Sequence, residues 1–365
     1  MFSSDDLSSL RLNTQSNLIE IIDQTLLPHQ LQWRSLESLG AYCHAIEAMQ
    51  VRGAPLIGIT AACGLAFAIT EDPSEANIDS AAAQLLATRP TAVNLRWALD
   101  QVLAAVANRD EQERATAAWE RAYAIRDEDI ANCSRIGDCG LLQLQELVAA
   151  SKGETLNIMT HCNAGWLATI QWGTALAPIY KAHAAGLPVH VWVSETRPRS
   201  QGMNLTAWEL QRAGVPCTVV ADNSCGHLMQ QGLVDCVIVG TDRTAANGDV
   251  CNKIGTYLKA LAANANAVPF FVGLPASTVD WLCPDGTQIP IEERSAEEVL
   301  QIGGVATDGA YTTIQLAAAG TKAANPAFDT TPAALVTSLL TEYGAFAATP
   351  EGMAALREQL PEHLA

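Results

Sequence analysis

Apolar positions along the chain fall into two textures. Up to about residue 150 they recur three and four apart, over 36–50, 56–70, 79–87, 92–107 and 110–150, with breaks at Gly53, Pro55, Pro73 and Pro90. That spacing puts apolar side chains on one helical face, so this part is predicted to be mainly helical. Ahead of it, NLIEIIDQTLLPHQLQW, from Asn17 to Trp33, alternates apolar runs with turn residues around Pro28, the pattern of a short antiparallel pair. Past Gly153 the texture changes to short β-branched runs at 156–160, 189–195, 217–222, 236–242 and 270–273, separated by helical stretches. Apolar strands alternating with helices predict a parallel sheet covered on both faces, and right-handed crossovers make it doubly wound and Rossmann-like. The expected organisation is α/β. A polar, disordered segment covers 1–16 and a mainly helical N-terminal domain with a short antiparallel sheet covers 17–125. A Rossmann-like domain that includes the connecting helix covers 126–350, and 351–365 is a C-terminal tail.

Composition narrows the function classes. With 49% apolar and 16% charged residues in 365, disorder and a disulfide-stapled miniprotein are excluded. Lys and Arg number 21 against 39 Asp and Glu, a net charge of −18, which argues against nucleic acid or an anionic membrane as partner. Gly53 to Thr70 and Cys162 to Tyr180 approach the roughly 20 residues of a bilayer span. Their Gly, Thr, Gln and Pro, with no flanking Lys/Arg asymmetry, make them buried core segments instead. The 10 cysteines are scattered without a CxxC pair, several in apolar runs such as those holding Cys63 and Cys236. Free thiols in a reducing cytoplasm are expected, and MFSSDDLSS lacks the basic and apolar regions of a secretory signal.

In a doubly wound sheet the ligand cleft lies at the strand C-termini, so the residues there are the candidates for chemistry. THCNAG at 160–165 places Cys162 between a strand end and a helix expected to start near Gly165, where helix dipole and N–H groups favour a thiolate. A buried structural cysteine is the alternative. SETRPRSQG at 194–202 offers Arg197 and Arg199, either as ligand donors or as solvated loop charge, and Asn223 and Ser224 read as caps of the next helix. The segment GTDRTAANGDVCNKIGT at 240–256 gathers Asp242, Arg243, Asn247, Asp249, Asn252 and Lys253 in what reads as a loop. Asp242 should point into the cleft, where partial desolvation raises its pKa toward use as a general acid; capping a helix is its other reading. Lys253 is expected near a helix start, beside an anion. VRGAP puts Arg52, Gly53 and Ala54 before one helix, and TRPTAVNL puts Arg89 before another that opens at Pro90; together they form a candidate phosphate clamp. The dispersed histidines give no HxxxH or HExxH spacing, so no metal is expected, and His161 alone is placed near the site. GxGxxG, the P-loop and GxSxG are absent, so no nucleotide cofactor and no hydrolase nucleophile is expected.

The strings VRGAPLIGITAACGLA, RPTAVNLRWAL, THCNAGWLAT, SETRPRSQG, LTAWEL and GTDRTAANGDVCNKIGT resemble those of the methylthioribose-1-phosphate isomerases. IIDQTLLP near the start and NPAFDTTP at 325–332 extend the resemblance over roughly 19–345. The wider superfamily takes in ribose-1,5-bisphosphate isomerases and regulatory subunits of a translation initiation exchange factor. The resemblance implies Cys162 as the catalytic cysteine and Asp242 as the proton donor. It implies Arg52, Gly53, Ala54, Arg89, Gln201, Asn252 and Lys253 as substrate-binding residues, Gln201 on the resemblance alone. The implied activity is the aldose–ketose isomerisation of 5-methylthioribose 1-phosphate to 5-methylthioribulose 1-phosphate in methionine salvage, by a homodimer with no cofactor. Two residues depart from the family pattern: Ser194, where many relatives are expected to have Asp, and Trp166, expected on the pocket wall against the methylthio group.

An aldose 1-phosphate has a blocked anomeric oxygen, so the enzyme must open the ring itself. Two routes stand open at this point. Asp242 protonates the ring oxygen in both; then either a Cys162 thiolate removes the carbon 2 proton, or a hydride moves from carbon 2 to carbon 1. Alternative functions are the isomerisation of ribose 1,5-bisphosphate or 5-deoxyribose 1-phosphate, and a non-catalytic regulatory subunit that binds a sugar phosphate or nucleotide. The last predicts loss of the Cys/Asp pair and long interaction tails.

Overall fold

The computed structural model describes residues 7–13, 18–89, 92–150 and 154–361. The chain opens with an antiparallel three-stranded sheet of β1 (Leu10–Asn13), β2 (Leu18–Ile22) and β3 (Trp33–Leu36). β2 and β3 are the expected pair. β1 lies inside the stretch expected to be disordered, where alternation puts Leu10 in the core; of that stretch, 1–6 and 14–16 fall outside the described residues. Helices α1 (Leu39–Glu47), α2 (Ala54–Glu71), α3 (Glu75–Thr88), α4 (Val93–Val106) and α5 (Glu111–Ala150) follow. Ser38 and Ser74 start α1 and α3 by accepting the backbone N–H of Ala41 and Asn77 on their hydroxyls. α2 is long and apolar enough to cross a bilayer, yet 72% of it is buried here. It is the central rod of the helical core, wrapped by α1, α3, α4 and α5.

α5 joins the two parts. Trp119, Ala122 and Ile125 on its first half belong to the helical core, while Ile136 and Leu144 on its second half belong to the core beyond. That second core surrounds a sheet built from β4 (Leu156–Thr160), β5 (Val189–Ser194), β6 (Cys217–Val220), β7 (Cys236–Val239), β10 (Phe270–Gly273), β15 (Ser338–Thr341) and β16 (Gly344–Phe346). Among the described residues its order is β16-β15-β10-β7-β4-β5-β6, all parallel except the β15–β16 pair. Taken in chain order, the six parallel strands run 3-2-1-4-5-6, the doubly wound arrangement the sequence predicts. The order reverses between β4 and β7, so the cleft opens beyond the ends of those two strands. Helices α6 (Ala177–Ala184), α7 (Ala207–Arg212), α8 (Cys225–Gln230) and α9 (Thr256–Ala265) supply its cover.

Four features differ from expectation. First, the helix after β4 begins at Ala177, because Trp166–Ala168 form only a 3₁₀ turn. Second, the 240–256 segment is a hairpin of β8 (Arg243–Ala245) and β9 (Val250–Lys253) turning at Gly248, where φ is +90°. With β11 (Val279–Asp280) and β14 (Phe328–Thr331) it makes a four-stranded sheet. Asn247-Gly248 was its turn signal. Asn247 and Asp249 serve this turn, Asp249 accepting the N–H groups of Gly286 and Ala333. Third, a short helix α10 (Glu297–Leu300) leads into an unforeseen ribbon of β12 (Gln301–Val305) and β13 (Tyr311–Gln315). Fourth, the C-terminal tail carries α11 (Pro350–Gln359), which buries Met353 and Leu356; 362–365 fall outside the described residues.

Candidate active site

Arg52, Gly53, Ala54, Arg89, Cys162, Gln201, Asp242 and Lys253 line one pocket. Asn252 lines an adjoining recess together with Arg52, Gly53, Ala54, Cys162 and Asp242, and donates to the Thr256 hydroxyl at 3.0 Å. All nine sequence-derived candidates therefore meet at the cleft, from two parts of the chain.

Gly53 caps α2 with φ +91°, and a Cβ there would lie 2.4 Å from the Ala168 oxygen. Glycine is required for the close approach that sets the start of α2, with its N–H groups, at the pocket. Arg52 is nearly buried, and its guanidinium donates to Asn163 twice, Nη1 to Oδ1 at 2.5 Å and Nη2 to the backbone oxygen at 2.8 Å. Asn163 is in turn held by Thr206 and by Glu209, whose Oε1 accepts its amide at 2.7 Å. Glu209 is fully buried and also receives Trp166 N, Leu167 N and the Tyr180 hydroxyl. Burial pushes its carboxyl up to about 7, against these donors, which favour the ionised form. Arg89 closes α3 rather than opening a helix; α4 begins at Val93, and Pro90 lies outside the described residues. It reaches the pocket all the same.

Cys162 follows β4 in a left-handed backbone conformation, φ +63°, a strain of about 1–2 kcal/mol for a side chain with a Cβ. Two threonines hold it: the Cys162 N–H donates to Thr196 Oγ1 at 2.9 Å, and Thr206 Oγ1 donates to the Cys162 oxygen at 2.6 Å. Its Sγ donates to Gln201 Oε1 at 3.4 Å. Since Trp166–Ala168 form only a 3₁₀ turn, the dipole assistance expected from a helix starting near Gly165 is missing. Burial pushes the thiol pKa up, opposed by Arg52 and Lys253. The setting of Cys162 therefore favours the thiol over the thiolate.

Asp242 lies just past β7, its N–H bonded to the Cys251 oxygen of β9. Burial raises its carboxyl pKa, as the sequence predicts, with Lys253, Arg52 and Arg89 pulling the other way. Lys253 is on strand β9, not at a helix start. Its ammonium donates to the Ala327 oxygen at 2.9 Å and sits 4.2 Å over the Phe328 ring. Burial pushes its pKa down, opposed by Cys162 and Asp242.

His161, expected near the site, lines the recess that holds Asn252. It is buried and held near neutrality of charge, its pKa pushed down to about 3 by burial and by Lys259. Its ring contacts Ser194 Oγ at 3.2 Å and the Ile254 oxygen at 2.8 Å. Ser194 also donates to Asp222, so this departure from the family pattern lies behind the pocket, not on its wall. Asp222 accepts the N–H groups of Thr196 and Arg197, both at 2.8 Å, fixing the loop that carries Gln201. The ADNS segment thus acts through Asp222; Ser224 makes no side-chain cap. Arg197 is consumed by the carbonyl oxygens of Glu298, Val299 and Gln301, and Arg199 pairs with Glu298 at 3.0 Å. Trp166 is likewise off the pocket, buried against Trp208. The apolar wall comes instead from Met49, Ile57, Ile289 and Phe328.

Sequence reading also missed Glu292 and Arg294, which line the pocket from the stretch before α10. Five cations, Arg52, Arg89, Arg243, Lys253 and Arg294, line the pocket with two carboxylates, Asp242 and Glu292, in a chain of net charge −18; Arg243 also pairs with Asp280 at 3.4 Å and Arg294 with Glu298 at 2.7 Å. A local excess of cation in an acidic protein, with helix N–H groups beside it, is built for an anionic group such as phosphate. Among the described residues no three His, Cys, Asp or Glu side chains are grouped to hold a metal ion.

Residues 50–348 match the initiation factor 2 subunit family. The methylthioribose-1-phosphate isomerase of Methylorubrum populi is 59% identical over 341 residues, covering 93% of this chain and 93% of its own. That of Rhodospirillum rubrum is 58% identical, covering 94% of this chain and 89% of its own. Among solved structures, 5-methylthioribose 1-phosphate isomerase from Pyrococcus horikoshii superposes with a TM-score of 0.84 at 34% identity, covering 98% of both chains. The translation initiation factor eIF-2B delta subunit from A. fulgidus superposes with a TM-score of 0.78 at 35% identity, over 93% of this chain and 96% of that one.

Proposed function

Because the chain belongs to the initiation factor 2 subunit family and, within it, to the methylthioribose-1-phosphate isomerases, we propose that it converts 5-methylthioribose 1-phosphate to 5-methylthioribulose 1-phosphate. The observation that carries this reading is the meeting of Asp242 and Cys162, from two strand ends, in one pocket with Arg52, Arg89 and Lys253. The regulatory alternative requires the loss of that pair, and the pair is present. The apolar groups of Met49, Ile57, Ile289 and Phe328 favour a methylthio tail over the second phosphate of ribose 1,5-bisphosphate.

The guanidinium groups and the start of α2 bind the phosphate. Asp242, whose hold on its proton is strengthened by burial, donates to the ring oxygen as the bond from carbon 1 to that oxygen breaks, leaving carbon 1 electron-poor. Burial disfavours the Cys162 thiolate, which makes it a poor base, and a phosphate dianion bound to Arg52 and Lys253 offsets the cations that lower its pKa. That direction supports the hydride route. The hydrogen on carbon 2 moves with its electron pair to carbon 1, and the carbon 2 hydroxyl returns its proton to the Asp242 carboxylate as the ketone forms. Asp242 begins and ends protonated. Cys162 and Gln201 fill the site and keep water from the cation. No nucleotide or metal takes part in these steps.

The reading extends to a cytoplasmic homodimer. All ten cysteines are free thiols, which fits a reducing compartment, and α9 presents exposed Tyr257, Leu258 and Leu261 as an apolar face for a second copy. The experiment that tests the chemistry uses substrate deuterated at carbon 2. The label is expected to appear on carbon 1 of the ketose by NMR, with little exchange into solvent. Complete wash-out would return Cys162 to the role of base.

A further inference from the structure

Glu292 holds an acceptor oxygen to which none of the described residues donates a hydrogen bond. Its Oε2 is shielded from solvent and has no hydrogen-bond partner. The guanidinium groups beside it stand off, Arg89 Nη2 at 3.7 Å from Oε2 and Arg294 Nη1 at 3.8 Å from Oε1, beyond hydrogen-bond reach. Arg294 is turned instead to Glu298, at 2.7 Å. A shielded carboxylate oxygen without a donor is costly to maintain, so its place on a ligand pocket points to a donor that the ligand brings.

The chemistry of that donor is limited. An ionised carboxylate only accepts, and it repels phosphate, so the phosphate end of a sugar phosphate settles on the cations and a hydroxyl fits Glu292. Asp242 is the other carboxylate on the pocket wall, and the ring oxygen and the carbon 2 hydroxyl engage its proton. One hydroxyl of a 5-substituted pentose 1-phosphate then has no assigned partner, that on carbon 3, which the reaction leaves unchanged. We infer that Glu292 is a specificity-determining residue that accepts a hydrogen bond from this carbon 3 hydroxyl. The assignment rests on the isomerase reading above. It makes the enzyme selective for pentose 1-phosphates that retain a free 3-hydroxyl.

The test compares wild type, Glu292→Ala and Glu292→Gln on 5-methylthioribose 1-phosphate and its 3-deoxy analogue, with inorganic phosphate as competitive inhibitor. Wild type is expected to prefer the 3-hydroxyl substrate by about 100-fold in kcat/KM, since a site built to bond a hydroxyl rejects its absence. Glu292→Ala reduces that preference at least about tenfold, and Glu292→Gln, which keeps one acceptor oxygen, falls between. Phosphate inhibits Glu292→Ala as well as wild type or better, because Arg89 and Arg294 lose a counter-charge. An unchanged preference in Glu292→Ala overturns the assignment. So does weaker phosphate inhibition in step with lost turnover, which would make Glu292 a strut for Arg89. A wild type that turns over neither compound defeats the isomerase reading itself, an outcome distinct from both.

Discussion

Asp242→Asn is expected to lower kcat by about 10³–10⁴-fold while leaving the fold intact, because the carboxamide matches the carboxyl in shape and cannot deliver a proton. At 1.36 kcal/mol per decade this is about 4–5.5 kcal/mol of transition-state stabilisation. The sign of the pH dependence follows from burial. Asp242 has its pKa raised above the ordinary carboxylate value, so it keeps its proton to higher pH than an exposed Asp. Activity is then present below the raised pKa and falls as pH rises through it. Steady-state kinetics over pH, with circular dichroism to confirm folding, checks both parts. Full activity in Asp242→Asn would remove the general acid from the mechanism.

Arg52→Ala is expected to cost about 10²–10³-fold in kcat/KM, about 2.7–4 kcal/mol. Two losses combine. A cation leaves the phosphate site, and the Asn163 amide and backbone oxygens lose their donors in a buried setting where Glu209 still holds the other end of the amide. Arg52→Lys restores charge without the two-pronged contact, so it recovers only part of the loss. The inhibition constant of inorganic phosphate separates the two losses: it worsens in Arg52→Ala and recovers more fully than kcat in Arg52→Lys if charge dominates binding.

Cys162 and Asp242 were legible from sequence for one physical reason. In a parallel sheet the residues past the strand C-termini face the cleft, and apolar runs such as CVIV at 236–239 show where a strand stops. Arg52 and Gly53 were legible because a glycine and a proline mark the start of α2. Glu292 and Arg294 were not. Their stretch has no periodicity of its own and is placed by distant backbone bonds, Arg294 N to the Asn325 oxygen and Ala327 N to the Glu292 oxygen. Gln201 came from family resemblance alone, since the loop that carries it is fixed by Asp222, a partner more than twenty residues away. Local pattern also misled. Lys253 read as a residue at a helix start but sits on a strand, because the Asn247-Gly248 turn folds the segment back before α9 begins. Trp166 adjoins the site motif in sequence, yet the 3₁₀ turn aims it into the core against Trp208.

The most direct measurement of the central claim is the turnover of 5-methylthioribose 1-phosphate by the purified protein in the presence of a chelator, followed as ketose formation beside ribose 1,5-bisphosphate. The account predicts turnover of the methylthio compound, with kcat/KM at least about tenfold above that of the bisphosphate, since an apolar wall disfavours a second dianion. No turnover of the methylthio compound, or a preference for the bisphosphate, would contradict it.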